Sequence, residues 1–232
     1  MRGMAKDEQI EEFDSWFKRL RADAACLQET WKLGNTTEDH DGTLILNHGP
    51  PKKLCKRGSL GVAIALNSAA RNAWEKAGSV VLYFGIRIIA TRLHFTDAKG
   101  KLVKLFLVSA YAPVGAAPQE EREKYAGKLQ KCISTCAKDE VLILGTDANA
   151  SPGIRKKHDD PFAPGRDKVR GPFGMKHENS AGRELCSILG TKNFALLRHT
   201  SGTRNMQHGA ILAASCGINW IISSCDRKIS NV

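Results

Sequence analysis

Between residues 7 and 22 the apolar positions Ile10, Phe13, Trp16, Phe17 and Leu20 recur at three- and four-residue spacing, with charged residues between them. That period gathers the apolar side chains on one face and predicts an amphipathic helix. The pattern then shifts to short solid runs and alternation, which read as strands. Residues 24–28 form one such run, with Glu29 at its carboxyl end. Residues 30–57 are polar, broken by Gly49-Pro50-Pro51, and predict loops around a short strand at 44–47. Residues 60–66 predict another strand. Segments 80–84 and 86–95 alternate like a pair, 97–101 with Gly100 predicts a hairpin turn, and 102–110 runs into Tyr111-Ala112-Pro113. A second helix is predicted over 118–137, with Glu120, Glu121, Glu123 and Lys124 on its outer side.

Next comes Val141-Leu142-Ile143-Leu144, a solid apolar run of the kind expected of a strand covered on both faces. Gly145 is expected to end it, leaving Asp147 and Asn149 where the chain leaves the sheet. Residues 151–176 are rich in Gly, Pro and basic groups and predict a long surface loop. Residues 180–191 predict a helix on Leu185, Ile188 and Leu189. A short strand at 194–197 follows, and 211–214 with 218–222 predict a final hairpin. Strands follow one another with few helices between them. This favours an α/β (α+β) fold with two packed sheets over a doubly wound nucleotide fold, built as a single domain over residues 1–232.

Composition sharpens this picture. At 42% hydrophobic residues the chain can bury a core. Its net charge of +11 suits polyanionic partners. The basic residues cluster at Lys52-Lys53, Lys56-Arg57, 155–158 and 166–170. The seven cysteines include no C-x-x-C pair, which argues against a disulfide framework and a zinc module and for a reducing, intracellular compartment. Cys132 and Cys136, one helical turn apart, read as packing residues. No apolar run is long enough to span a bilayer, no signal core opens the chain, and no G-x-x-x-x-G-K-[ST] loop occurs.

Asp147 and Asn149 allow two readings from the residues alone. Beyond the carboxyl end of a rigid strand they could hold a divalent metal, a phosphate or an attacking water; equally, they could cap a turn. Three ordered features bear on the choice: Leu27-Gln28-Glu29-Thr30, Ser109-Ala110-Tyr111-Ala112-Pro113 and Gly145-Thr146-Asp147-Ala148-Asn149-Ala150. In this order they resemble the endonuclease/exonuclease/phosphatase superfamily, and within it the endonuclease domain of non-LTR (LINE-like) retrotransposons and craniofacial-development-like proteins. Residues 57–63 and the blocks 171–174 and 178–183 add to the likeness.

The resemblance implies Glu29 as a ligand of Mg²⁺ or Mn²⁺, Tyr111 as a phosphate contact and Asp147 as the residue that positions or deprotonates water. It implies Asn149 as an amide orienting the phosphate. Nucleic acid, DNA in particular, is the implied substrate, contacted by Arg155, Lys156, Lys157 and His208. A monomer is implied, of retrotransposon origin, once joined to a reverse transcriptase and with the nucleus as its workplace.

The sequence also departs from the family pattern. It begins as if just after the asparagine of the family's first strand. Asn219 stands where a metal-side aspartate is expected, and the terminal Ser-Asp-His is absent. The expectation is therefore a sandwich lacking the first strand and the final His-bearing segment, with activity reduced or abolished. Two alternatives follow: a nucleic-acid-binding pseudo-nuclease, or a retroelement remnant that barely folds. Lipid or inositol phosphatases are disfavoured by the 171–183 block and by the lack of an apolar lipid-facing loop.

Overall fold

The structure is a computed structural model that describes residues 7–53, 60–154, 177–190, 195–197 and 210–213. Strands β1 (Ala24–Gln28), β2 (Asn35–His40), β3 (Thr43–His48) and β4 (Val62–Leu66) form an antiparallel sheet in the order β1-β4-β3-β2. The second sheet contains β5 (Val81–Tyr83), β6 (Ile88–Thr96), β7 (Leu102–Tyr111), β8 (Glu140–Asp147), β9 (Ala195–Leu197) and β10 (Ala210–Ala213), in the order β5-β6-β7-β8-β10-β9. Its β7–β8 pair is parallel, and the other pairs are antiparallel. Parallel neighbours need a crossover, and α3 (Gln119–Ser134) lies on the chain between β7 and β8. The remaining helices are α1 (Asp7–Arg19), α2 (Ser68–Lys76) and α4 (Ser180–Gly190).

Side-chain alternation explains why the central strands look solidly apolar. Leu44, Leu46, Val62, Ile64 and Leu66 meet Ile89, Leu105, Leu107 and Ile143 between the two sheets. The alternate residues face outward and are covered too. Ile45, Ala63 and Ala65 pack under Ile10, Phe13 and Phe17 of α1. Phe106, Val108, Leu142 and Leu144 pack under Leu129, Cys132 and Ile133 of α3 and Leu185 and Leu189 of α4. The result is a four-layer sandwich, helix on sheet on sheet on helix, as the two-sheet reading expects. Among the described residues no helix is long and apolar enough to cross a membrane, and Cys26, Cys132, Cys136 and Cys186 are thiols rather than halves of a disulfide.

Three expectations need correction. Gly145 does not end its strand: β8 continues to Asp147. A side chain at 145 would meet Cys26 of the facing sheet, its Cβ 2.7 Å from the Sγ. The glycine is there so that the sheets can approach. Residues 30–57 carry a strand that was not expected beside the one at 44–47, because Asn35–His40 is a polar strand held by its pairing with β3. Helix α2, capped by the Asn67 side chain accepting from the Ala70 N–H, lies in a stretch for which no helix was predicted. Residues 218–222, Asn219, Arg155, Lys156, Lys157 and His208 lie outside the described residues, as do 56–59, 166–170 and 171–176.

Candidate active site

The strand directions decide where the functional groups meet. Gln28 and His48 both pair with Val62, so β1 and β3 end on the same side of their sheet. Tyr111 pairs with Asp147 at the carboxyl ends of the parallel β7 and β8. The first sheet lays its end against these strands: Cys26 Sγ lies 3.4 Å from the Val108 carbonyl, and Ser109 Oγ donates to the Leu27 carbonyl at 3.1 Å. Four strand ends therefore converge. This is the place where ligands collect in open α/β sheets.

Two residues beyond these ties, the Tyr111 hydroxyl donates to Glu29 Oε1 at 2.6 Å. Glu29, half-buried, has a left-handed backbone with φ 54°, an uncommon state for a glutamate. Its turn is clamped by Thr30 N–H to the Gly61 carbonyl (3.2 Å) and Trp31 N–H to the Leu60 carbonyl (3.1 Å). Gly61 has φ 122°, and a Cβ there would come within 2.5 Å of Thr30 Oγ1. The chain thus spends backbone strain to hold this carboxylate in place.

Across from it, Asp147 Oδ1 accepts the Asn149 N–H at 3.2 Å. The Asn149 side-chain amide donates to the Ala112 carbonyl at 2.9 Å, while the Asp147 carbonyl accepts the Ala112 N–H at 2.8 Å. Both ends of Ala112, the residue after Tyr111, are gripped by the last residue of β8 and the turn that follows it. Asn149 has φ 44°, a conformation that suits asparagine. It acts as a turn former and as a strut for the Tyr111 loop at once.

Burial pushes the Tyr111 phenol up to about 12, and the charges of Glu29 and Asp147 push in the same direction. The group is a standing proton donor over any working pH. Both carboxylates therefore reach the hydroxyl electrostatically. So does Arg87, whose guanidinium carbon lies 5.4 Å from the centre of the Tyr111 ring and whose backbone carbonyl accepts the Tyr111 N–H at 2.9 Å. Arg87 is held in turn by Glu121 of α3 at 2.7 Å.

Arg87 was not singled out in the sequence, where nothing marks a strand-flanking arginine as stacked on a tyrosine. Gln28 was quoted within a motif but given no role. Its amide donates to Ser109 Oγ at 3.1 Å and to the Gly145 carbonyl at 3.3 Å, stitching β1 to β7 and β8. The signal was a polar residue at the end of an otherwise apolar run.

Glu29, Tyr111, Asp147 and Asn149 are thus brought to one end of the sandwich. The donors are oxygens, which suits a hard divalent cation. Among the described residues no group of three His, Cys, Asp or Glu side chains could hold a metal. A cation here would be held by Glu29 and Asp147 and completed by water and substrate.

No family model matches the chain. A curated relative, bovine (Bos taurus) craniofacial development protein 2, is 29% identical over 125 residues, 54% of this chain and 18% of that protein's length. The catalytic domain of Xenopus laevis APE2 superposes with a TM-score of 0.51 at 16% identity, covering 87% of this chain and 77% of that one. An endonuclease/exonuclease/phosphatase family protein from Leptotrichia buccalis C-1013-b gives a TM-score of 0.48 at 10% identity, covering 92% and 84%.

Proposed function

On the premise that this chain has the endonuclease/exonuclease/phosphatase fold, we propose that it is a Mg²⁺- or Mn²⁺-dependent phosphodiester hydrolase of retrotransposon origin that nicks DNA. One observation carries the reading: the Tyr111 hydroxyl on Glu29 at 2.6 Å, at the strand ends where Asp147 is Tyr111's register partner. A turn cap needs Asp147 and Asn149 alone; it does not need a strained glutamate and a buried tyrosine from other strands aimed at the same point.

Each residue then has a task. Glu29 would hold the cation, which supplies neutralisation of charge on the phosphate oxygens. Tyr111, always protonated, has one hydroxyl proton to give, and would turn it from Glu29 to a non-bridging oxygen as charge builds there, once Glu29 faces the cation. Asp147 accepts the proton of the attacking water. Asn149 keeps the Tyr111 loop and the Asp147 turn in register. The excess of 35 Lys and Arg over 24 Asp and Glu supports a polyanion over a small phosphoester.

The second reading, a protein that binds nucleic acid without cutting it, is favoured by the amide at Asn219, where the resemblance leads one to expect a metal-side aspartate. Nicking of supercoiled plasmid with Mg²⁺ or Mn²⁺, against a chelator control and Asp147→Ala, separates the two. A drop of about a hundredfold or more in Asp147→Ala is expected. Equal nicking by both proteins ends the enzyme reading. Salt-sensitive DNA binding that survives Asp147→Ala, without nicking by either protein, selects the second.

A further inference from the structure

We infer that Trp31, with the lysine pair Lys52-Lys53, is a stacking contact for an unpaired stretch of nucleic acid at the rim of the site. The inference rests on the reading of that site as a nucleic-acid site. Trp31 lies two residues past Glu29, is 39% exposed, and has a left-handed backbone with φ 58°. A single exposed apolar side chain needs no explanation. A bulky aromatic held out to solvent on a strained backbone does, because such strain persists where surrounding bonds over-determine it.

Those bonds are present. The Trp31 N–H is tied to the Leu60 carbonyl, and the buried Thr30 beside it is tied to Gly61. Three residues on, the Gly34 N–H donates to the Pro50 carbonyl at 3.0 Å, and the Gly49 N–H donates to the Gly34 carbonyl at 2.8 Å. The segment bearing Trp31 is thereby laced to the one that runs on into Lys52 and Lys53. Both lysines are exposed and make no ion pair among the described residues, whereas Lys32 is committed to Glu38. An aromatic face on a segment laced to one that bears unpaired ammonium groups is the combination that holds single strands, stacking a base and tracking the backbone. Inositol or other small phosphoesters offer the lysines charge but offer the indole nothing to stack on.

The test uses the full chain in an Asp147→Asn background, so that the probe is not cut, with Mg²⁺ and a labelled single-stranded oligonucleotide followed by anisotropy. Trp31→Ala is expected to weaken binding by about fivefold to a hundredfold, Trp31→Phe to retain most of it. The salt dependence should be unchanged by either substitution and reduced by Lys52→Gln with Lys53→Gln. Trp31→Gly suits the left-handed backbone, so it is expected to weaken binding while keeping the thermal transition. This separates loss of stacking from loss of fold.

If Trp31→Ala and Trp31→Gly bind as the parent does, the inference is overturned and the nuclease reading stands. Equal loss in Trp31→Phe and Trp31→Ala also overturns it, because the aromatic face is then not what binds. If the parent binds no oligonucleotide at low salt, the nucleic-acid reading of the site falls and this inference falls with it.

Discussion

The space between the two sheets has two ends of opposite character. At one, Leu44 and Leu66 meet Leu93, Leu105 and Ile143, and the buried Thr91 hydroxyl between Ile89 and Leu93 donates to the Val80 carbonyl of its own sheet's edge at 2.7 Å. At the other, polar groups cross from sheet to sheet: Gln28 to Ser109 and the Gly145 carbonyl, Ser109 to the Leu27 carbonyl, Tyr111 to Glu29, and His48 to the Gly85 carbonyl. The same two sheets make both ends, so packing alone does not require the polar one. Hydrogen bonds that replace water contribute little net stability, whereas leaving one partner unsatisfied is costly. The aliphatic end holds the sandwich together. The polar end fixes distances between groups on different strands, which is what a catalytic constellation requires.

Gly145 sits where one end gives way to the other, and its substitution is the strongest way to break the contrast. Gly145→Val would drive a branched side chain into Cys26, with no flexible tip to yield. A loss of about 3 kcal/mol in urea unfolding is expected, at the upper range for overpacked cores. Cys26→Gly in the same chain should recover much of it. If Gly145→Val unfolds at the parental midpoint, the close approach of the sheets is not a constraint and the polar end has slack.

Tyr111→Phe tests the polar end without touching the packing. It removes the donor to Glu29 and keeps the ring under Arg87. Stability should fall by about 1 kcal/mol, while any nicking activity should fall about a hundredfold, as when a preorganised donor to a developing oxyanion is lost. The phenol sits at about 12 in the fold against 10 in the free state. Its contribution to stability is therefore complete below pH 10 and lost as pH rises from 10 to 12. The pH–rate profile of Tyr111→Phe between pH 6 and 9 should keep the parental shape at reduced height. A changed shape would show the hydroxyl titrating, in conflict with its burial.

How far these two ends could be seen in the sequence follows from the same contrast. Strands β7 and β8 were legible because helices cover the outer face and the facing sheet covers the inner one, so their central positions, 105–108 and 141–144, are all apolar. Glu29, Tyr111, Asp147 and Asn149 were legible because each stands at or just past the end of such a run. Strand β2 was not, since Asn-Thr-Thr-Glu-Asp-His has no buried face and is a strand by virtue of its ladder to β3. Helix α2 buries the small residues Ala70 and Ala73, which give a weak periodic signal. Gly145 was misread as a terminator because a glycine marks a turn and a close approach alike, and the neighbour that decides between them lies 119 positions away in the chain, at Cys26.

The gentlest probe of the polar end is His48. Its ring donates from Nε2 to the Gly85 carbonyl, lies 2.6 Å through Nδ1 from Asn35 Oδ1, an amide whose two ends exchange by a half-turn, and packs against Tyr83 with ring centres 4.7 Å apart. A neutral ring is satisfied on both nitrogens when that carboxamide presents its NH₂. Burial pulls the imidazole below its ordinary value of 6.5, and the Gly85 carbonyl opposes this in part. The unfolded chain therefore takes up a proton before the folded one does, so stability is complete above pH 6.5 and declines as pH falls below it. His48→Gln, which keeps a donor for Gly85, should flatten that decline. Asn35→Asp should reverse its sign by placing a carboxylate against Nδ1 and raising the imidazole. Thermal unfolding of the three proteins between pH 5 and 8 reads this out. An equal decline in the parent and in His48→Gln would mean that the bond between the sheets at His48 is not what the proton disturbs.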